Sequence, residues 1–167
     1  MLQACLNGGL LKSAHHRVPT SASELACDAV AVLAAGAEEL HIHVRAEDGA
    51  ETLEPTAVAK TIQAVRRAAP GVPIGLGTGA WIMPGGRLRH PHIRDWTEKP
   101  DYASVNLGEA DAPEVIDLLV AGGVGIEAGQ DRDEMQRRAE RQFAKIDRSS
   151  TDLPSALSSN SGRGASK

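Results

Sequence analysis

The chain has 167 residues, 41% hydrophobic and 24% charged, which suffices for one domain with a buried core. A formal net charge of -4 supplies no basic field and so excludes nucleic acid as the main partner, while no apolar run approaches the ~20 residues that a membrane helix needs. Aromatic residues make up only 2%, so the core must come from Ala, Val, Leu and Ile, a composition suited to helices packed on parallel strands.

Residues 3–6 form the first expected strand, ending in the turn-prone Asn7-Gly8-Gly9. A polar loop over 12–19 leads to Ser21 and Glu24, spaced as a capping box in which each side chain satisfies a helix-start donor. Ala26, Ala29, Val30 and Leu33 recur at helical spacing, and Gly36 supplies the stop. The second strand is expected over 39–45, with Leu40, Ile42 and Val44 on one face and His41, His43 and Arg45 on the other. After the Asp48-Gly49 turn, Pro55 opens a helix whose inner face is Val58, Ile62 and Val65. A third strand over 72–76 runs into Gly77-Thr78-Gly79-Ala80, where small residues leave room for a ligand against the backbone. A long loop with a short irregular helix follows, then a strand over 102–107, a helix over 113–120 and a fifth strand over 124–127.

This βαβα alternation predicts an α/β fold, a partial TIM (β/α) barrel of about five parallel strands with flanking helices, over residues 1–129. Residues 130–148 are dominated by charge and predict a helix with a thin apolar stripe rather than another βα unit. Residues 149–167 are rich in Ser, Gly and Asn and predict a disordered tail. The N-terminus has no charged leader and no long apolar region, so a cytoplasmic location is expected. Cys5 and Cys27 are expected as buried thiols in a reducing compartment.

Chemistry concentrates on the second strand. Side chains at i and i+2 of a strand point the same way, so His41 and His43 project together, close enough to bind one ion. A strand covered by helices is normally apolar on both faces, and burying two imidazoles and a guanidinium without partners would cost several kcal/mol, an order-of-magnitude figure from group transfer. A metal, or a water-filled barrel interior, resolves that conflict; a solvated edge strand is the alternative. Glu127 ends the fifth strand, where barrel enzymes place catalytic groups, although a surface Glu before a turn reads the same way. Thr78, Ser104 and Asn106 at strand ends are candidate hydrogen-bond donors to a small anion. His15-His16 and His90-Pro91-His92 sit in polar loops and are expected to be exposed. Neither a complete G-x-G-x-x-G nor a P-loop nor a G-x-S-x-G elbow is present.

Taken together, Leu6-Asn7-Gly8, Ser23-Glu24-Leu25-Ala26, Ala35-Gly36-Ala37, His41-Ile42-His43-Val44-Arg45, Asp48-Gly49, Gly77-Thr78-Gly79-Ala80, Lys99-Pro100-Asp101, Ala103-Ser104-Val105-Asn106-Leu107-Gly108 and Gly125-Ile126-Glu127 resemble the beta-keto acid cleavage enzymes. The resemblance covers about residues 2–129. It implies a zinc-containing TIM barrel that condenses a β-keto acid with acetyl-CoA and releases acetoacetate and a new CoA thioester. It further implies zinc on His41 and His43, substrate contacts at Gly77, Ala80 and Ser104, and a functional carboxylate at Glu127. Asn7, Arg45, Thr78 and Asn106 lie in the same matched motifs and join the candidate substrate-binding residues.

Two departures stand out. Leu10 falls where the family often carries a substrate-contacting Glu, and the family's third zinc ligand, a late Glu, has no counterpart within the matched stretch. Residues 130–167 show no resemblance, so the expectation is a chain cut short, or shifted in frame, after Gly129. The function expected is therefore that of a zinc- and acetyl-CoA-dependent keto acid cleavage enzyme, homo-oligomeric if folded and incomplete by itself. The alternative is a catalytically inactive barrel fragment acting at most as an interaction module.

Overall fold

The computed structural model describes residues 2–83 and 86–129; the helix expected over 130–148 and the tail expected from 149 lie outside them. Five strands, β1 (Gln3–Cys5), β2 (Glu39–Ile42), β3 (Ile74–Gly77), β4 (Tyr102–Asn106) and β5 (Gly125–Gly129), form one parallel sheet in the order β1-β2-β3-β4-β5. Between them run α1 (Ala22–Ala34), α2 (Pro55–Ala68), the short α3 (Arg89–Arg94) and α4 (Ala112–Ala121). Crossovers between neighbouring parallel strands are right-handed as a rule, and strands joined in sequential order then carry every helix on the same face. That face of the sheet carries Leu40, Ile42, Ile74, Leu76, Ala103 and Val105, all essentially buried against Leu25, Val58, Ile62, Val65, Val115 and Leu119 of the helices. Each of the Leu, Ile and Val side chains contributes about 1.5–3 kcal/mol by leaving water.

The other face is concave. Four strand spacings of ~4.8 Å would hold β1 and β5 roughly 19 Å apart in a flat sheet. Instead Gln3 Nε2 of β1 donates to Glu127 Oε1 of β5 at 2.8 Å and to Tyr102 Oη of β4 at 3.0 Å. Only a strongly curled sheet allows that, and the curl is that of a barrel sector, as the βα alternation predicts. Gly75 of β3 has no side chain because the Tyr102 ring occupies its place: an added Cβ would lie 2.1 Å from Tyr102 Cε2.

Local starts and stops follow the sequence closely. Ser21 and Glu24 form the expected capping box, and Pro55 occupies the first turn of α2 behind Glu54, whose carboxylate accepts from Thr56 N and Ala57 N. Some expectations fail for identifiable reasons. The buried stripe of α1 is Leu25 and Ala29, with Val32 and Leu33 half-buried, whereas Val30 is 48% exposed. The third strand begins at Ile74 rather than Val72; Ile74 N donates to the Asp101 carboxylate, which fixes where the strand enters the sheet. The expected second strand ends early, at Ile42, because His43 turns its backbone N–H and C=O to the side chain of Asn7. Cys5 and Cys27 are both exposed, not buried. Cys5 lies beside His41 in the ladder, on the concave face, and Cys27 looks outward from α1.

Candidate metal and substrate site

His41 and His43 come together on the concave face, their ring centroids 5.4 Å apart and tilted by 58°. Each presents Nδ1 to a carboxylate. His43 Nδ1 lies 2.9 Å from Glu51 Oε2, and His41 Nδ1 lies 3.3 Å from Glu127 Oε2. The first is a well-formed hydrogen bond. The second is not: His41 Nδ1 is buried and has no aligned partner. Neither Nε2 is hydrogen-bonded among the described residues. Burial, and then the neighbouring His43, push His41 below the usual imidazole range, against the opposing pull of Glu127. His41 is thus held neutral, the form in which an imidazole binds a metal.

Several groups hold this pair in place. The Asn7 side chain, itself buried, donates to His43 O at 2.8 Å and accepts from His43 N at 2.9 Å. Gly77 leaves room for the His43 ring, since an added Cβ would meet Cε1 and Nε2 at 2.8 Å. Glu51, bridged to Arg45 in a short antiparallel contact, meets His43 Nδ1 and, at 3.3 Å, Trp81 Nε1 through Oε2, and forms an ion pair with Arg45 Nη2 at 3.7 Å through Oε1. Burial alone would raise its pKa, but these partners, His43 foremost, carry it below the ordinary carboxylate range.

The remaining candidates divide. Ser104 faces Glu127 across the β4–β5 ladder, and its hydroxyl makes no hydrogen bond among the described residues. Arg45 is buried and committed to Gly8 O, Leu10 O and Gly49 O, which ties down the loop after β1. Thr78 is buried, with Oγ1 donating to Ser104 O at 2.6 Å. Ala80 N and Asn106 Nδ2 both donate to Glu109 Oε1.

Glu109 belongs to a second cluster that sequence reasoning missed. Arg89, fully buried, sits between Glu109 Oε2 and Asp111 Oδ1 at 2.6 Å each and donates to Thr78 O. His90 Nε2, 2.8 Å from Asp111 Oδ2, is therefore half-buried and paired rather than exposed in a loop, while His15 and His16 are exposed as expected. Glu51 was also missed; its one sequence signal is its place just past the Asp48-Gly49 turn, which folds it back onto the strand carrying His43.

A pair of imidazoles suits zinc, a borderline-soft ion that favours nitrogen and sulfur. The unpartnered Nδ1 and the two free Nε2 atoms are what a nitrogen-ligated ion would require. Among the described residues no group of three or more His, Cys, Asp or Glu is placed to hold a metal, so the pair alone would supply only part of a coordination sphere. No described helix is long and apolar enough to cross a membrane.

A family model for the beta-keto acid cleavage enzymes matches residues 1–150, which carries the likeness beyond residue 129, where the motifs alone had ended it. The chain is 34% identical over 109 residues to the 3-keto-5-aminohexanoate cleavage enzyme of Fusobacterium nucleatum subsp. nucleatum, covering 65% of this chain and 39% of that protein. It is 32% identical over 96 residues to the 3-oxoadipate:acetyl-CoA acetyltransferase of Cupriavidus necator, covering 58% of this chain and 32% of that protein. The chain therefore spans well under half the length of these curated relatives.

Proposed function

The chain belongs to the beta-keto acid cleavage enzyme family, and on that premise we propose that its concave face binds zinc through His41 and His43 and takes part in transferring an acyl group from a β-keto acid to CoA, with acetyl-CoA as co-substrate and acetoacetate as product. The observation that carries this reading is the side-by-side placement of the two imidazoles, each with Nδ1 toward a carboxylate. Metal-bound histidines usually hand their second nitrogen to such a group, which fixes tautomer and ring orientation.

When bound, zinc supplies Lewis acidity for the oxygens of the keto acid. The chain's own residues do the rest. Glu51 holds His43 so that Nε2 turns to the interior, and Asn7 holds the His43 backbone. Glu127 carries a carboxylate that is 36% exposed and tethered by Gln3, so it can both orient His41 and hold a proton at Oε2. The free hydroxyl of Ser104, one strand away, is positioned to donate to a substrate oxygen on the same face. Gly77 seats the His43 ring and Thr78 holds the Ser104 backbone, so both shape the site from behind, and Ala80 is the small residue left beside the keto acid. The outer edges of β1 and β5 have no partner strand among the described residues, and open edges pair readily, so self-association belongs to the proposal.

A second reading, in which the fold binds ligands without turnover, is favoured by the missing third donor among the described residues. One set of measurements separates them. Metal analysis of the purified full chain is expected to give zinc in proportion to protein, lost in a His41→Ala/His43→Ala double variant. Acetoacetate is expected from acetyl-CoA and a panel of β-keto acids. Zinc without acetoacetate selects the binding-only reading, and a chain that retains neither metal nor activity overturns the proposal.

A further inference from the structure

Asn106 ends β4 on the concave face, two residues beyond Ser104 and so about 6–7 Å further toward the C-terminal ends of the strands. Its amide is held in one sense. Nδ2 donates to Glu109 Oε1 at 3.0 Å, and the same oxygen accepts from Ala80 N at 2.9 Å. A carboxylate accepts and cannot donate, so the nitrogen is the atom that faces Glu109. Glu109 is itself anchored, because its Oε2 is paired at 2.6 Å with the fully buried Arg89.

The amide oxygen is thereby turned to the other side, over β5. Gly129 stands opposite Asn106 in the ladder, and Leu107 N donates to Gly129 O at 3.1 Å, which pins the two strand ends together. A side chain at Gly129 would point to the concave face, as that of Glu127 does two residues earlier. Asn106 Oδ1 takes that space: an added Cβ would lie 2.8 Å from it. Among the described residues Oδ1 makes no hydrogen bond. The loop carboxylate fixes the amide, and the bare glycine leaves its oxygen uncovered on the face that carries the histidine pair.

The ketone and carboxylate oxygens of a β-keto acid only accept hydrogen bonds, and another acceptor repels them; the Ser104 hydroxyl suits them instead. What Oδ1 suits is an N–H. The pantetheine arm of acetyl-CoA carries amide N–H groups close to its thioester, and a keto acid with an amino group carries another.

We infer that Asn106 binds ligand through its amide oxygen, set by Glu109 as a positioning residue and left open by Gly129, and that this oxygen accepts a hydrogen bond from a ligand N–H. This rests on the functional reading above and adds the donor that the ligand brings. It reverses the role of donor to a small anion that the sequence suggests for Asn106.

The test uses the full chain with zinc present and calorimetric affinities for acetyl-CoA, for a β-keto acid bearing an amino group, and for the alkyl analogue of that acid. Gly129→Ala sets a methyl group against Oδ1 and leaves the Arg89–Glu109 pair untouched. It should weaken acetyl-CoA, the amino acid analogue or both by about three- to tenfold, the worth of one hydrogen bond, and change the alkyl analogue by less than about twofold. In an Asn106→Ala background the same change should alter every affinity by less than about twofold, since the oxygen it blocks is gone; a purely structural effect of the methyl group would persist there. Glu109→Ala should reproduce the loss, again only where Asn106 is present, and the Gly129 cycle decides alone if loss of the ion pair unfolds that variant. A loss confined to acetyl-CoA assigns the oxygen to the thioester arm, and one confined to the amino-bearing acid assigns it to the keto acid. Unchanged affinity for both N–H ligands, an equal loss for the alkyl analogue, or a loss that persists without Asn106 overturns the inference and leaves the functional reading intact. A wild-type chain that binds none of the three sinks both.

Discussion

Two polar clusters lie on either side of the 77–80 segment, and they handle charge in opposite ways. Around Arg89 the charges are matched at short range: the guanidinium contacts two carboxylates at 2.6 Å each, and the far oxygen of Asp111 takes His90. Around His41 and His43 the imidazoles are the groups left open: His41 Nδ1 is buried without a hydrogen bond, and neither Nε2 has an acceptor among the described residues. Buried polar groups are normally satisfied. The Arg89 cluster also leaves Arg89 Nε and Glu109 Oε2 without an aligned hydrogen bond, but there both groups belong to opposite-charge pairs at 2.6 Å, whereas buried His41 Nδ1 has only a carboxylate oxygen at 3.3 Å; the first arrangement reads as scaffold and the second as a ligand site. Both reach the same backbone, since Arg89 and Glu109 hold Thr78 O and Ala80 N while Gly77 seats His43.

The comparison predicts that the closed cluster dominates stability and the open one dominates binding. Arg89→Met should have the largest effect. It leaves Glu109 with only the neutral donors Ala80 N and Asn106 Nδ2, and Asp111 with only His90, and breaking a buried ion pair from one side costs about 3–5 kcal/mol. Chemical denaturation should show the midpoint falling by that amount. A loss below about 1 kcal/mol would mean that the cluster is as loosely held as a surface pair, and the contrast between the two regions would collapse.

Glu51→Gln probes the other side. The amide keeps the shape and still offers an oxygen to His43 Nδ1, but it removes the charge that favours a proton there. Groups that orient metal-bound histidines typically account for 10–100-fold in affinity, so zinc should bind at least about tenfold more weakly. Stability of the metal-free chain should change far less than for Arg89→Met, because Arg45 keeps three carbonyl acceptors. Competition against a chromophoric chelator measures the first quantity and denaturation without metal the second.

How much of this was legible beforehand follows the range of the interactions involved. The sequence alone supported the barrel sector, because alternation and punctuation are local: the Ser21–Glu24 box, Pro55 at a helix start, and Leu40 and Ile42 opposite His41. The histidine pair was equally legible, since an i, i+2 spacing on a strand guarantees a shared face. What stayed hidden depends on contacts between distant loops. Glu51 reads as one more acidic residue after a turn, and Arg89, Glu109 and Asp111 read as surface charge until folding brings them together across 20–22 residues of chain. His90 was misread for the same reason. Asn7 was legible as part of a motif, but its engagement with the His43 backbone depends on β1 and β2 lying side by side. The exposed thiols contradict a rule about average cysteine burial, which carries no information on which strand ends at a cavity mouth.

The smallest effect concerns acid. Burial would raise the Asp111 carboxyl, but the His90 hydrogen bond and the Arg89 charge outweigh it and hold its pKa below the ordinary value. A carboxylate depressed in the folded state adds stability that is fully present above its unfolded pKa of about 3.9. The gain disappears as pH falls through the lower folded value. One such group changes stability by at most about 1.4 kcal/mol per pH unit within that window. Glu24 and Glu54 are also depressed and act in the same range, through contacts at exposed helix starts. The informative quantity is therefore the difference between the wild type and Asp111→Asn. Their stabilities should run parallel from pH 5 to 7, with the variant lower, and converge below about pH 4 as the wild-type carboxylate takes up its proton. Urea denaturation at half-unit steps resolves this. Curves that stay parallel to the lowest pH would show that Asp111 keeps no charge worth protecting, and that the cluster around Arg89 is held by Glu109 alone.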